Sequence, residues 1–230
     1  MAKPQTELVK RHSLVVRITH WLNVLSLWLL LMSGLQIFNA HPALYWGDIS
    51  TFDTPLFAIE GFPSWATIPS FQALAGGRLW HFFFAWIFVI NGLIYLTASL
   101  VTRHFARDLI PTRAELAHIG GSIAEHIRLR FPKGEDAKRY NVIQQLAYLA
   151  VIFGLLPLVI LTGLCMSPQM NANFPWLPEL FGGRQSARTL HFLAAAGLFT
   201  FFIVHIVMVI LSGFWNNIRS MVTGRYQIEV

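Results

Sequence analysis

The sequence predicts an all-α integral membrane protein: a bundle of four transmembrane helices with a cytoplasmic interfacial amphipathic helix. Three observations predict it. The 230 residues are 55% hydrophobic and 12% charged, with a mean hydropathy of +0.53, whereas an ordinary soluble domain is about one quarter charged. Four apolar runs, near 14 to 38, 79 to 101, 143 to 166 and 188 to 212, each reach the ~20 residues that cross a hydrocarbon core. Lys, Asp and Glu are absent from all four runs, and their few Arg sit at the ends. The loops are too short for a second folded domain and no short internal repeat stands out, so residues 1–230 read as a single membrane domain.

The first run follows a basic start, Lys3, Lys10, Arg11 and Arg17. It is too long for a cleavable signal and no small-residue cleavage site follows, so it reads as a retained helix. The loop 39–78 mixes Pro42, Pro55, Pro63 and Pro69 with Tyr45, Trp46, Phe52, Phe57, Phe62, Trp65 and Phe71. Such aromatics mark a headgroup belt and equally suit a docking surface. After the second run, Thr112 to Leu129 reads as one amphipathic helix beginning behind Pro111, with Leu116, Ile119, Ile123 and Ile127 on one side. The third run ends near Cys165, the only cysteine, which excludes an internal disulfide and covalent haem attachment through C-x-x-C-H.

Basic residues also fill the loop 102–142 (Arg103, Arg107, Arg113, Arg128, Arg130, Lys133, Lys138, Arg139) and follow the fourth run (Arg219, Arg225), while Arg78, Arg184 and Arg188 fall on the other side. By the positive-inside rule both termini and the 102–142 loop are cytoplasmic, and loops 39–78 and 167–187 face outward, toward the periplasm of a bacterium. The net charge of +6 and pI near 9.9 thus express membrane sidedness rather than a nucleic-acid surface.

Nine histidines are present. His12, His41, His104, His118 and His126 lie outside the runs and read as solvated. His20, His81, His191 and His205 lie inside them, where an ionisable side chain is by default functional. His191 and His205 are 14 residues apart, a rise of about 21 Å and a rotation about 40° short of four turns, so they share a face at opposite depths. The alternating direction of the helices sets His81 level with His191 on the outer side, and His20 level with His205 on the inner. Two pairs of facing imidazoles suit two six-coordinate b haems with no open position, hence electron transfer. A zinc or copper site would gather its ligands at one depth. A proton relay through these histidines, in a transporter or channel, is the reading that the absence of Asp, Glu and Lys argues against.

Three of the four histidines follow an arginine by three residues: Arg17 and His20, Arg78 and His81, Arg188 and His191. One helical turn places each arginine toward the nearer surface, where haem propionates emerge; anchoring at helix ends explains the charge but not the register. Gly34 lies 14 residues beyond His20, at the depth of the outer haem. It leaves room for a macrocycle or for ordinary small-residue packing between helices.

These residues resemble the bacterial cytochrome b561 and nickel-hydrogenase cytochrome b superfamily, and within it the thiosulfate reductase cytochrome b subunit type, from about 11 to 225. The likeness rests on Arg17-x-x-His20-Trp21, Arg78-x-x-His81-Phe82, Phe181-Gly182-Gly183 leading to Arg188-x-x-His191-Phe192, and His205. The membrane subunit of formate dehydrogenase is similar and implies the same haem pairing. Its Y-N-x-x-Q segment has a counterpart in Tyr140-Asn141-x-x-Gln144, which implies a quinone pocket near the cytoplasmic haem; polarity at a helix start is the plainer account of the same residues. The resemblance implies a periplasmic molybdopterin oxidoreductase as partner. The expected function is electron transfer between the quinone pool and that partner in the bacterial inner membrane, with a stand-alone oxidoreductase that passes electrons from superoxide or a similar small reductant to quinone as the alternative.

Overall fold

The computed structural model describes residues 6–128 and 140–229. Lys3, Arg130, Lys133, Lys138 and Arg139, the end of the amphipathic segment at Leu129, and the side chains of His126 and Ile127 lie outside what is described. In chain order the elements are strand β1 (Thr6–Lys10), helix α1 (Leu14–Asn39), the short strands β2 (Ala43–Leu44) and β3 (Phe57–Ala58), α2 (Leu74–Val101), α3 (Arg113–Ala117), α4 (Ile119–Ile127), α5 (Val142–Ala150), α6 (Leu156–Cys165), α7 (Pro168–Asn173), α8 (Trp176–Leu180), α9 (Arg184–Leu211), α10 (Phe214–Thr223) and β4 (Arg225–Glu229).

Among the described residues four helices are long and apolar enough to cross a membrane: Leu14–Asn39, Leu74–Val101, Val142–Cys165 and Arg184–Leu211. Few of their side chains are fully buried and many large apolar ones are exposed, which suits lipid rather than water as solvent. The third of them joins α5 to α6 through a π turn, Val151–Leu155. Pro157 has no N–H to return to the carbonyl four residues earlier, and a wide turn absorbs that loss. Helix α2 starts five residues before its apolar run. Gly76 and Gly77 are poor helix formers, but a Cβ on them would stand 3.3 Å from Pro69 Cγ and 3.2 Å from Ile37 Cγ1. The close approach of Pro69, Ile37 and Gln36 to these two glycines packs the helix start against its neighbours.

The expected single amphipathic helix is two helices instead. Thr112 caps α3 in a capping box with Glu115, and at His118 the chain leaves helical dihedrals (φ −100°, ψ 14°) before α4 begins. The Gly120-Gly121 pair just beyond lowers the helical preference that would have carried one helix across.

The chain gathers into two compact units, and each of the four long helices runs from one into the other. The first comprises residues 6–22, 91–128, 140–151 and 201–229. In it β1 and β4 pair antiparallel, Thr6 with Glu229 through Lys10 with Arg225, and the Gly224 carbonyl accepts from the Arg11 amide at 2.8 Å. Arg17 donates to the Val222 carbonyl and Trp21 Nε1 to that of Met221. Asn91 donates to the Thr19 carbonyl at 2.8 Å.

The second unit comprises residues 23–90 and 152–200. Polar residues at the end of α1 order its long loop: Gln36 bonds Ser70 and the Ala73 carbonyl, and Asn39 bonds both the amide and carbonyl of Phe62 and the carbonyl of Phe71. The start of α9 then grips the same loop. The Gly47 carbonyl accepts from the amides of Gln185 (2.8 Å) and Ser186 (3.1 Å), Ser186 Oγ accepts from the Gly47 amide, and Thr189 Oγ1 donates to the Tyr45 carbonyl at 2.6 Å. Cys165, fully buried, packs on Leu177 and Ala187.

Candidate functional site

Helices α2 and α9 bring His81 and His191 together in the second unit, with ring centroids 6.1 Å apart and planes inclined by 64°. Helices α1 and α9 bring His20 and His205 together in the first unit, 6.2 Å apart and inclined by 66°. With metal–imidazole bonds of about 2.0–2.1 Å and a ring centroid about 1.2 Å inside its own nitrogen, two imidazoles on one iron stand about 6.4 Å apart. Both separations fit two axial ligands on a shared metal.

The surroundings of the two pairs differ. His81 Nδ1 lies 3.1 Å from Ser33 Oγ, and His191 Nδ1 lies 2.8 Å from the Val159 carbonyl and 3.3 Å from Thr162 Oγ1. Gly34 approaches the His81 ring so closely that a Cβ would stand 3.4 Å from Cε1, and Gly163 approaches His191 in the same way at 3.2 Å. His205 instead stacks on Phe201 (5.9 Å, 18°) with Tyr148 at its edge (6.5 Å), and His20 has Trp21 at 5.4 Å. Ser33, Thr162, Val159 and Gly163 escaped the sequence reading. A detectable signal was there: Ser33-Gly34-Leu35 and Thr162-Gly163-Leu164 occupy the first and third spans as near copies.

The three arginines take different positions. Arg78 lies over Phe82, 5.4 Å from its ring centroid. Arg188 donates to the carbonyls of Ala43 (2.9 Å) and His41 (2.5 Å), bracing the loop that follows α1. Arg17 bonds the Val222 carbonyl, and its Nε is buried with no partner among the described residues.

Asn141 caps α5, accepting from the Ile143 amide at 2.9 Å, while Gln144 reaches back to the Asn141 amide at 3.2 Å. This capping box occupies both side chains at the helix start. Tyr140 turns inward: its ring is 5.5 Å from that of Tyr148, with Arg11 lying 5.7 Å over it. Burial, followed by neighbouring Tyr148, pushes the Tyr140 phenol above its ordinary range and keeps it neutral. Gln145, one residue beyond the expected one, is 5% exposed and donates to the Asp108 carbonyl, with its Oε1 unpaired among the described residues.

Several histidines expected in solvent are placed otherwise. His12 is 9% exposed, 6.5 Å from the Tyr140 ring; burial first, then the charges of Arg11, His20, His104 and Arg17, lower it to about 4. Its burial follows from the β1–β4 pairing, which folds the start of the chain against Gly224. His104 bonds Asp108 at 2.7 Å. There burial would raise the Asp108 carboxyl, but hydrogen bonds from Arg107 and His104 prevail and lower it. His41 stacks on Tyr45, its Nε2 3.1 Å from the phenol oxygen, and burial with the nearby Arg188 lowers it. Only His118 of this group is seen exposed.

Comparison with known proteins agrees with this geometry. The family model described as prokaryotic cytochrome b561 matches residues 11–224. A relative from Azospira oryzae named "Putative protein-methionine-sulfoxide reductase subunit YedZ1" is 31% identical over 205 residues, which cover 89% of this chain and 92% of the relative. With its four apolar helices and facing histidine pairs, the chain belongs to the prokaryotic cytochrome b561 family, membrane cytochromes that bind haem b and transfer electrons.

Proposed function

We propose that the chain is a two-haem conductor carrying electrons between membrane quinone and a redox partner on the outer side. The observation that carries this reading is the pair of imidazole separations, 6.1 Å for His81 with His191 and 6.2 Å for His20 with His205. Haem b, when bound, supplies reversible one-electron chemistry at its iron. His81 with His191, and His20 with His205, would each hold one haem iron between two imidazoles, which would leave no place for substrate at the metal and would make conduction the protein's task. Arg78 is assigned to a propionate of the outer haem. Arg188 and Arg17 brace the chain at their carbonyls and serve the propionates of the outer and inner haems from there. Gly34 makes room beside His81.

For the quinone end we infer the inner side. Tyr140 and Tyr148 form an aromatic path that ends at His205, and the neutral Tyr140 phenol and the unpaired Gln145 oxygen supply a donor and an acceptor for a quinone headgroup. Asn141 and Gln144 fix the helix start that presents them. The partner is inferred to be a periplasmic, molybdopterin-dependent oxidoreductase of the kind served by thiosulfate reductase cytochrome b subunits. The relative's name as a reductase subunit supports a reductase as the partner. The outer loop, with Ile49, Phe52 and Trp65 exposed beside Asp48, Asp53 and Glu60, is the surface it would cover. The same reading sets the protein in the bacterial inner membrane as one domain, 1–230, with both termini cytoplasmic.

Haem extraction from the purified protein tests the central claim. Two haems per chain are expected, falling to one when any single histidine of the four is replaced. One haem in the unaltered protein overturns the two-site reading.

A further inference from the structure

The outer histidines are held by a device that occurs twice. On α1 the Ser33 hydroxyl, 3.1 Å from His81 Nδ1, donates its proton back to its own helix, to the Leu29 carbonyl at 2.6 Å, with the Leu30 carbonyl at 3.2 Å. On α6 the Thr162 hydroxyl, 3.3 Å from His191 Nδ1, donates to the Leu158 carbonyl at 2.6 Å, with the Val159 carbonyl at 3.3 Å. Val159 accepts from His191 Nδ1 at 2.8 Å. In both copies the next residue is glycine, and the imidazole Cε1 lies where its Cβ would make contact. Hydroxyl, carbonyl three residues back, carbonyl four residues back and following glycine thus repeat in one register.

The proton positions follow. A hydroxyl that has already given its hydrogen to the carbonyl four residues back offers only lone pairs. A carbonyl also only accepts. The imidazole must therefore bring the proton, so Nδ1 carries hydrogen and Nε2 keeps the lone pair a metal needs. Among the described residues the ring nitrogens of His20 and His205 have no such partner, and aromatic rings pack against both imidazoles instead.

We propose that Ser33-Gly34 and Thr162-Gly163 are matched positioning elements that lock both axial imidazoles of the outer haem in one tautomer and weight that haem toward its ferric form. A hydrogen bond drawn from Nδ1–H makes the ring a stronger donor, which favours the higher charge on the iron. The proposal rests on the reading of His81 and His191 as haem ligands. Ser33 has the larger effect, because at His191 the Val159 carbonyl stays in place when the Thr162 hydroxyl is removed.

The test uses the full chain, purified with its haems, as Ser33→Ala, Thr162→Val, Ser33→Thr and Thr162→Ser. The readouts are haem per chain, the potential of each haem by spectroelectrochemical titration, and the low-spin ferric resonances. With Ser33→Ala the ferrous-to-ferric ratio of the outer haem at fixed potential is expected to rise about threefold, about 28 mV at 59 mV per decade. The inner haem should stay put and Ser33→Thr should restore the original value. Thr162→Val should move the outer haem in the same direction by less. Loss of the outer haem alone in Ser33→Ala, recovered in Ser33→Thr, supports the same positioning role. Unchanged outer potentials, or equal shifts at both haems, overturn the proposal. Full haem retention in His81→Ala and His191→Ala instead overturns the ligand reading beneath it.

Discussion

Replacing Gly183 with alanine should unseat the loop between α1 and α2 from α9. Gly183 has φ +105°, and a Cβ there would stand 2.5 Å from Asp48 Oδ1 and 2.6 Å from both the carbonyl carbon and oxygen of Gly47. Backbone cannot yield as a side-chain tip does, so loop and helix must part. The dihedral alone costs about 1–3 kcal/mol for a residue with a Cβ. Parting also stretches the two bonds that the Gly47 carbonyl accepts from Gln185 and Ser186, worth about 1 kcal/mol each. The sum is about 3–5 kcal/mol, a fall in melting temperature of roughly 6–20 °C for a chain of this size. Gly47→Ala is the control, since Gly47 also has positive φ (+97°) but open space around its Cβ position, and it should lose only the dihedral part. Thermal unfolding in detergent, followed by helical circular dichroism, measures both. Equal melting temperatures for the two variants would refute the steric argument.

Three further outcomes are expected. Spectra of single-histidine variants should split into two classes, with His81→Ala matching His191→Ala and His20→Ala matching His205→Ala; a match across the pairs would undo the pairing. Arg188→Ala should destabilise the protein by about 2–4 kcal/mol, because two carbonyls lose a charged donor, and Arg188→Lys should recover only part, since an ammonium cannot reproduce the fork; the same melts check this. His12, lowered to about 4 against an ordinary 6.5, binds fewer protons folded than unfolded, so stability should be flat above pH ~6.5 and decline as pH falls toward 4. His12→Gln should lessen that decline, and an identical pH profile in the variant would show that other groups cause it.

What the sequence made legible was whatever repeats along one helix. Run length identified the four spans, and the fixed rise and rotation per residue were enough to match His81 with His191 and His20 with His205 in depth. Contacts between distant segments were beyond such reasoning. The lock between Gly47 and Ser186 joins residues 139 positions apart, and nothing periodic announces it. His12 looked solvated because it precedes the first span, yet its amide meets the Gly224 carbonyl from the far end of the chain and its ring lies 6.5 Å from that of Tyr140. Asn141 and Gln144 carry a capping pattern and a family motif at once, and only coordinates show the capping bonds formed. Gln145, its polarity hidden among apolar neighbours, gave no reason to be preferred over Gln144.

The β1–β4 ribbon has a consequence for biogenesis. Its two strands lie at opposite ends of the polypeptide, so the N-terminal strand waits for its mate while about 215 residues are made, on the order of ten to forty seconds at translation speeds of 5–20 residues per second. Through that interval Arg11, Arg17 and Trp21 lack the acceptors they find on Gly224, Val222 and Met221. Closure of the ribbon also requires both ends to emerge on one face of the bilayer, which only an even number of crossings allows. A nascent chain that skips a span therefore cannot zip its ends together, and β1 is left with an unpaired edge.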